Sequence, residues 1–306
     1  LGWLASTLSG KLNLHVAEPR MTKTILLTGA TGFIGRQIHR QLLENGHSVV
    51  VTVRPGSGGK LFDQGPSTRV IDVDDVFSQS AERWQEYCKG IDIVIHSAWY
   101  VEAGKYLDSP MNLQCLAGTI ALARGAVDAG VKHVIGLGTC MEYRLPSDHL
   151  TVESALEPKT LYAAAKMSTY HLLDQFFAKR DMAFSWCRVF YLFGENEHPA
   201  RLVPYIRARL GKGEVARLSK GTQIRDFLDV RHAGNMIAGL VDSGQRGPIN
   251  ICSGKAVTIR ALAEEIADEF GRRDLLEFGT ADIHPSDPLA VVGVCNVIPR
   301  TRMTLV

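Results

Sequence analysis

No apolar run in this sequence approaches the roughly 20 residues that a membrane-spanning helix needs, so no bilayer partner is expected. A surplus of one charge is missing too: 34 Lys and Arg stand against 32 Asp and Glu, a net charge of +2. Without a general basic field, nucleic acid is not an expected partner either, because binding it would require a local patch. The six cysteines (Cys88, Cys115, Cys140, Cys187, Cys252 and Cys295) contain no C-x-x-C pair, which points away from a zinc site and from a disulfide framework. None of the 10 histidines stands in an H-E-x-x-H or comparable spacing, so no metal is expected. A reducing, cytoplasmic setting fits this cysteine usage. Disordered, fibrous and collagenous classes are excluded as well, since 45% of residues are hydrophobic and 22% charged.

What is present is a regular alternation. Thr24–Gly29 is a continuous apolar run, and Ile34, Ile38 and Leu42 then recur at helical spacing until Asn45-Gly46. Ser48–Val53, Arg69–Val73, Ile91–His96, Val131–Leu137 and Ala183–Phe190 read as further strands. Leu113–Ala129 and Thr160–Ala178 read as helices between them. Strands apolar on both faces and separated by helices predict a parallel sheet covered on both sides. Beyond Phe190 the alternation weakens into Leu202–Leu210 (helix), Thr222–Leu228 (strand), Arg231–Val241 (helix), Gly247–Ile251 (strand) and Thr258–Phe270 (helix). The expected organisation is a leader at residues 1–20 outside the fold, a dinucleotide-binding domain at 21–190, an interleaved substrate lobe at 191–290, and an irregular tail at 291–306. The leader lacks a basic n-region, so a secretory signal is not expected.

The first strand runs into Gly29-Ala30-Thr31-Gly32-Phe33-Ile34-Gly35 and then a helix. Glycines at this spacing permit a tight turn, close approach to a pyrophosphate, and close packing of helix on strand. The helix N-terminus then offers free N–H groups and a partial positive charge to the phosphates. The strand–turn–helix context is what dinucleotide binding requires. After the second strand come Thr52-Val53-Arg54-Pro55, with no acid for the ribose hydroxyls. Arg54 suits a 2′-phosphate through its guanidinium fork, which favours NADP over NAD. A solvated arginine at a strand end is the competing account. Asp72 and Val73 close the third strand, where an acid can meet the adenine amino group; a plain surface aspartate fits equally.

Tyr162 and Lys166 lie four residues apart at the start of a helix, hence on one face. A tyrosine exchanging a proton near neutral pH needs about 4 kcal/mol of help, because its reference pKa is near 10. An adjacent ammonium and an oxidised nicotinamide could supply it. Thr139 follows the strand Val131–Leu137 at the carboxyl edge, where its hydroxyl could hold a substrate oxygen beside Tyr162.

Together, Gly29-x-x-Gly32-x-x-Gly35, Thr139 and Tyr162-x-x-x-Lys166 resemble the extended short-chain dehydrogenase/reductases of the nucleotide-sugar epimerase, dehydratase and reductase type. The resemblance spans about Thr24 to Ala290 and includes Asp92–Ala98, Asn112, Arg188–Gly194, Gln223–Val230 and Gly247–Gly254. It implies an α/β fold: a Rossmann doubly wound parallel sheet with a smaller C-terminal α/β substrate-binding lobe. It also implies catalysis by Tyr162, Lys166 and Thr139, with Ser97 and Ala98 beside the nicotinamide ribose. Arg225 would reach a substrate diphosphate, a salt bridge to Asp226 or Asp229 being the alternative. Trp99, Tyr100, Cys140, Glu142 and Tyr191 are candidates for the sugar pocket, and His96 is expected to be structural. The helices at 113–129 and 160–178 would form a homodimer interface.

Four reactions follow from the resemblance. The 4,6-dehydratases carry Asp-Glu after the catalytic Thr, whereas Cys140 and Met141 stand here, which disfavours dehydration. NADPH-dependent reduction of an NDP-4-keto-6-deoxyhexose agrees with Arg54. A 4-epimerase using bound NAD is the main alternative. Reduction of a non-sugar carbonyl and a non-catalytic dinucleotide-binding role remain behind these.

Overall fold

The computed structural model describes residues 21–282 and 287–298. The expected leader and the end of the expected tail lie outside the described residues. The first half of the chain forms β1 (Thr24–Thr28), α1 (Phe33–Glu44), β2 (Ser48–Val53), β3 (Thr68–Asp72), α2 (Ala81–Tyr87), β4 (Ile93–His96), α3 (Met111–Asp128) and β5 (His133–Thr139). Then come β6 (Ser147–Leu150), α4 (Leu161–Ala178), β7 (Ala183–Val189), β8 (Tyr191–Phe193), α5 (Leu202–Gly211), β9 (Ala216–Leu218), β10 (Ile224–Arg225) and β11 (Phe227–Asp229). The last described elements are α6 (Val230–Ser243), β12 (Gly247–Ile251), β13 (Val257–Thr258), α7 (Ile259–Phe270), β14 (Leu276–Phe278) and β15 (Ala290–Gly293).

Seven parallel strands make the main sheet in the order β3-β2-β1-β4-β5-β7-β12. The order reverses between β1 and β4, and this switch opens a crevice at the carboxyl edge. Successive residues of β1 explain the layers. Ile25 and Leu27 pack with Ile38 and Leu42 of α1 and with Ile237 and Val241 of α6. Leu26 points the other way, toward Trp84 of α2, Leu122 of α3 and Phe177 of α4. Both faces are therefore apolar, as a doubly covered parallel sheet demands.

Three boundaries differ from expectation. Gly247–Ile251, expected in the small lobe, pairs with β7 as the edge strand of the main sheet, and α6 packs on α1. The expected strand Thr222–Leu228 is split at Asp226 into β10 and β11, which belong to different sheets. Asp226 is fully buried because its carboxylate accepts the N–H groups of Ser253, Gly254 and Gly293, and that demand breaks the strand. Ala290–Gly293, placed at the edge of an irregular tail, forms β15 instead and completes a four-stranded sheet in the order β13-β10-β15-β6. The lobe's own core lies under α5 and α7, around Ile206, Leu210, Ala263 and Ile266. Among the described residues no helix is long and apolar enough to cross a membrane.

His96 ends β4 in the structural role expected of it, with ring nitrogens 2.8 Å from Thr28 Oγ1 and 3.0 Å from Thr119 Oγ1. Burial, aided by the nearby Lys166 charge, pushes its pKa down to about 3, and burial takes His133 to about 4. The unfolded chain takes up these protons near the ordinary value of 6.5, while the folded chain refuses them. The stabilisation is complete above that value and is lost as pH falls toward 4 and then 3. The urea midpoint should therefore decline steadily below about pH 6.5. A midpoint that stays level down to about pH 4 would contradict this account.

Candidate active site

A cleft of about 690 Å³ follows the carboxyl edge of the sheet from the end of β2 past β1 to α4. Its floor is the glycine turn. Gly29 holds φ +72°, and a Cβ there would stand 2.7 Å from the Ala98 nitrogen. A Cβ on Gly35 would run into the Gly29 carbonyl, so α1 rests directly against the turn. No side chain caps α1 at Gly32, and Thr31, Phe33 and Ile34 line the cleft beside this open N-terminus. Uncapped N–H groups on the positive end of a helix dipole fit a pyrophosphate without rearrangement.

At the far end Arg54 stands exposed on the cleft wall just past β2. Asp72 and Val73 do not reach the cleft. Val73 donates its N–H to the Val53 carbonyl at 2.8 Å and its side chain is buried, while Asp72 faces solvent at the end of β3. The wall is made instead by the next turn, including Asp74, Asp75 and Phe77. No local pattern distinguished those residues, because the chain's exit from β3 decides which of them faces the cleft.

The reactive end lies between β5 and α4. Thr160 caps α4 by accepting the Ala163 N–H at 3.2 Å, and the Tyr162 N–H donates to the Leu107 carbonyl at 2.8 Å. This places Tyr162 in the first turn and Lys166 one turn deeper, both on the cleft. The Tyr106 ring meets Tyr162 edge-on with centroids 4.9 Å apart. Lys166 Nζ donates to the Leu137 carbonyl at 2.6 Å and sits 3.7 Å above the Trp99 ring. Trp99 is fixed in turn, its indole N–H donating to Asn112 Oδ1 at 2.8 Å. Trp99 thus covers the lysine as well as facing the cleft, where Ser97, Ala98 and Tyr100 join it. The Tyr100 hydroxyl donates to Glu102.

Burial, then the neighbouring Tyr106, push the Tyr162 phenol above its ordinary value, while a hydrogen bond with Thr139 pulls it back. Burial lowers Lys166 to about 7, against a smaller pull upward from Glu142. The raised phenol keeps Tyr162 protonated at neutral pH.

Four expected sugar-pocket or phosphate residues are not on this cleft. Glu142 is fully buried beneath Thr139, whose N–H donates to Glu142 Oε1 at 2.8 Å. The Thr139 hydroxyl accepts the Met141 N–H at 3.3 Å, closing a capping box. The spacing Thr139-x-x-Glu142 is the local sequence signature of this capping box. The same carboxylate accepts the Trp186 indole N–H at 3.1 Å and Arg188 Nε at 2.8 Å. Arg188 also donates to the Tyr143 hydroxyl, which donates to Asn250 Oδ1 at 2.7 Å. Burial pushes Glu142 upward in pKa, and Arg188, Thr139 and Trp186 pull it back. Cys140 is packed with Tyr143, Leu150 and Phe190. Arg225 is buried, 5.1 Å over the Tyr191 ring, and donates to Asp287 Oδ1 at 2.6 Å. Its carboxylate partner is thus Asp287, neither Asp226 nor Asp229, and Tyr191 is the platform under it. Among the described residues, no group of three or more His, Cys, Asp and Glu side chains could hold a metal ion.

The profile of the NAD dependent epimerase/dehydratase family matches residues 25–252. A dTDP-6-deoxy-L-talose 4-dehydrogenase (NAD(+)) of Aggregatibacter actinomycetemcomitans is 24% identical over 271 residues, 88% of this chain and 98% of that one. The structure of a UDP-N-acetylglucosamine 4-epimerase from Methanobrevibacter ruminantium, in complex with UDP-N-acetylmuramic acid, superposes with a TM-score of 0.80 at 23% identity, covering 90% of each chain. That of the dTDP-glucose 4,6-dehydratase DesIV from Streptomyces venezuelae, with NAD bound, gives 0.77 at 24% identity, covering 91% of this chain and 92% of that one.

Proposed function

The chain belongs to the NAD dependent epimerase/dehydratase family, a family of oxidoreductase-type enzymes, and within it we propose NADPH-dependent reduction of a nucleotide-activated 4-keto-6-deoxyhexose. Arg54 on the cleft wall, at a strand end that carries no acid, is the observation that carries the reading. Cys140 and Met141 after Thr139 leave no acid–base pair for dehydration. The talose dehydrogenase relative is named for oxidation at C4 of a dTDP-6-deoxy sugar, and reduction of a 4-keto group is that reaction run backward. Asp74 and Asp75 on the same wall disfavour a 2′-phosphate, which keeps a 4-epimerase with bound NAD as the second reading.

When bound, a nicotinamide dinucleotide supplies the hydride. Gly29, Gly32, Gly35 and the open end of α1 would hold its pyrophosphate, with Ser97 and Ala98 at its ribose. Tyr162 then donates its phenolic proton to the oxygen of the forming alkoxide. Thr139, just behind the cleft lining, would hold that oxygen through the hydroxyl that also bonds Tyr162, and Lys166 in its protonated form would place a positive charge near the phenol as the proton leaves. Positioning and general acid catalysis share the work. Arg225 meets the substrate diphosphate only if the sugar nucleotide displaces Asp287. A homodimer through α3 and α4 belongs to this reading, supported by their packing side by side with Leu113 and Leu172 left exposed.

Supplied with NADPH and a panel of NDP-4-keto-6-deoxyhexoses, the enzyme should consume one NADPH per sugar reduced. Interconversion of NDP-hexoses with no net cofactor change would establish the epimerase instead. Arg54→Asp is expected to weaken NADPH binding about 10-fold or more while sparing NADH, since a charge-assisted hydrogen bond contributes about 1.5–3 kcal/mol. Equal losses for the two cofactors would count against a 2′-phosphate contact.

A further inference from the structure

Away from the cleft, the end of β12 and the segment after β15 run side by side in opposite directions. The Asn250 N–H donates to Asn296 Oδ1 at 2.8 Å, and Asn250 Nδ2 donates to the Val294 carbonyl at 3.1 Å. Asn296 Nδ2 returns a bond to the Pro248 carbonyl at 3.2 Å. Cys252 therefore lies against residues 293–295, and its Sγ fills the space that a Cβ on Gly293 would need. This arrangement brings the buried Cys252 thiol beside the exposed Cys295 thiol. None of these groups belongs to the proposed catalytic machinery.

We propose that Cys252 and Cys295 are a dithiol site for thiol–disulfide exchange, taking a soluble low-molecular-weight disulfide as oxidant and closing into a Cys252–Cys295 disulfide. The Cys295 thiolate attacks one sulphur of the oxidant, whose S–S bond breaks and expels the first thiolate. Cys252 then gives up its proton and attacks Cys295 Sγ, expelling the second thiolate. The two protein thiols are oxidised, the oxidant is reduced to two thiols, and both protons end on the leaving thiolates. The neighbouring Cys252 thiol draws Cys295 below the ordinary thiol range, which favours the exposed Cys295 as the attacking thiolate. The neighbouring Cys295 and burial push Cys252 upward, which suits the second, intramolecular step. Burial also takes Cys88 and Cys140 to about 12, leaving them poor competitors.

The test is incubation of the full chain with glutathione disulfide, followed by peptide mass mapping without reductant. A Cys252–Cys295 linked peptide is expected, with two glutathiones released per chain and Tm raised by about 5 °C. Cys252→Ser should stop at a stable glutathione adduct on Cys295. Cys295→Ala, a change at an exposed position, should leave Cys252 unmodified. The proposal is overturned if the wild-type chain also stops at the Cys295 adduct, stays reduced, or reacts equally at its other cysteines.

Discussion

Tyr162→Phe is expected to lower turnover by about 10²–10⁴-fold, the usual contribution of a positioned general acid, while leaving dinucleotide binding within a factor of about two. The substitution removes one hydroxyl and keeps the ring that packs edge-on against Tyr106, so folding should be spared. The direction of the Tyr162 shift matters here. Burial raises the phenol above its ordinary value, so the protonated form prevails at neutral pH and the proton to be donated is in place. Oxidation of an alcohol would need the opposite, a phenolate, and should show a stronger demand for high pH. Single-turnover rates with NADPH, set beside cofactor titrations, separate chemistry from binding. Near-normal turnover in Tyr162→Phe would remove Tyr162 from the acid role.

Glu142→Ala should destabilise the fold by about 3–5 kcal/mol, because it leaves the Arg188 guanidinium buried without its counter-charge. The paired side chains are 0% and 1% exposed and their ion pair is 2.8 Å long, so water cannot replace the missing carboxylate. The Thr139 N–H and the Trp186 indole N–H lose their acceptor in the same change. A double variant, Glu142→Leu with Arg188→Met, should recover much of the loss, since it removes the uncompensated charge along with its partner. Urea denaturation of the single and double variants measures both. A single variant within about 1 kcal/mol of wild type would mean that the pair adds little to stability.

Each prediction draws on a different range of sequence. Gly29, Gly32 and Gly35 could be recognised because a turn and a helix start are local events, complete within seven residues. Tyr162 and Lys166 could be recognised because one helical turn separates them. The family resemblance makes Glu142 a candidate for the sugar pocket, but its side chain is packed inside the fold. The capping box turns its carboxylate back beneath the strand, toward Arg188 some 46 residues away. Arg225 was assigned to a diphosphate, and its observed partner, Asp287, lies 62 residues further on. Asp74, Asp75 and Phe77 on the cleft wall carry no local signature for the same kind of reason, and neither does the bond from Trp99 to Asn112. Their places depend on how loops leave the sheet.

The alternation of strands with helices and the glycine turn after the first strand made an α/β dinucleotide-binding fold legible in the sequence alone, while the near balance of charge and the lack of long apolar runs excluded other classes. These are properties of composition and of periods of two and of three to four residues, which local sterics and burial impose. Only the tertiary structure decided that β12 completes the main sheet, that Asp226 splits a strand, and that Lys166 lies under Trp99. Each of those outcomes satisfies a buried polar or charged group with a partner remote in sequence, and no local pattern records such a pairing.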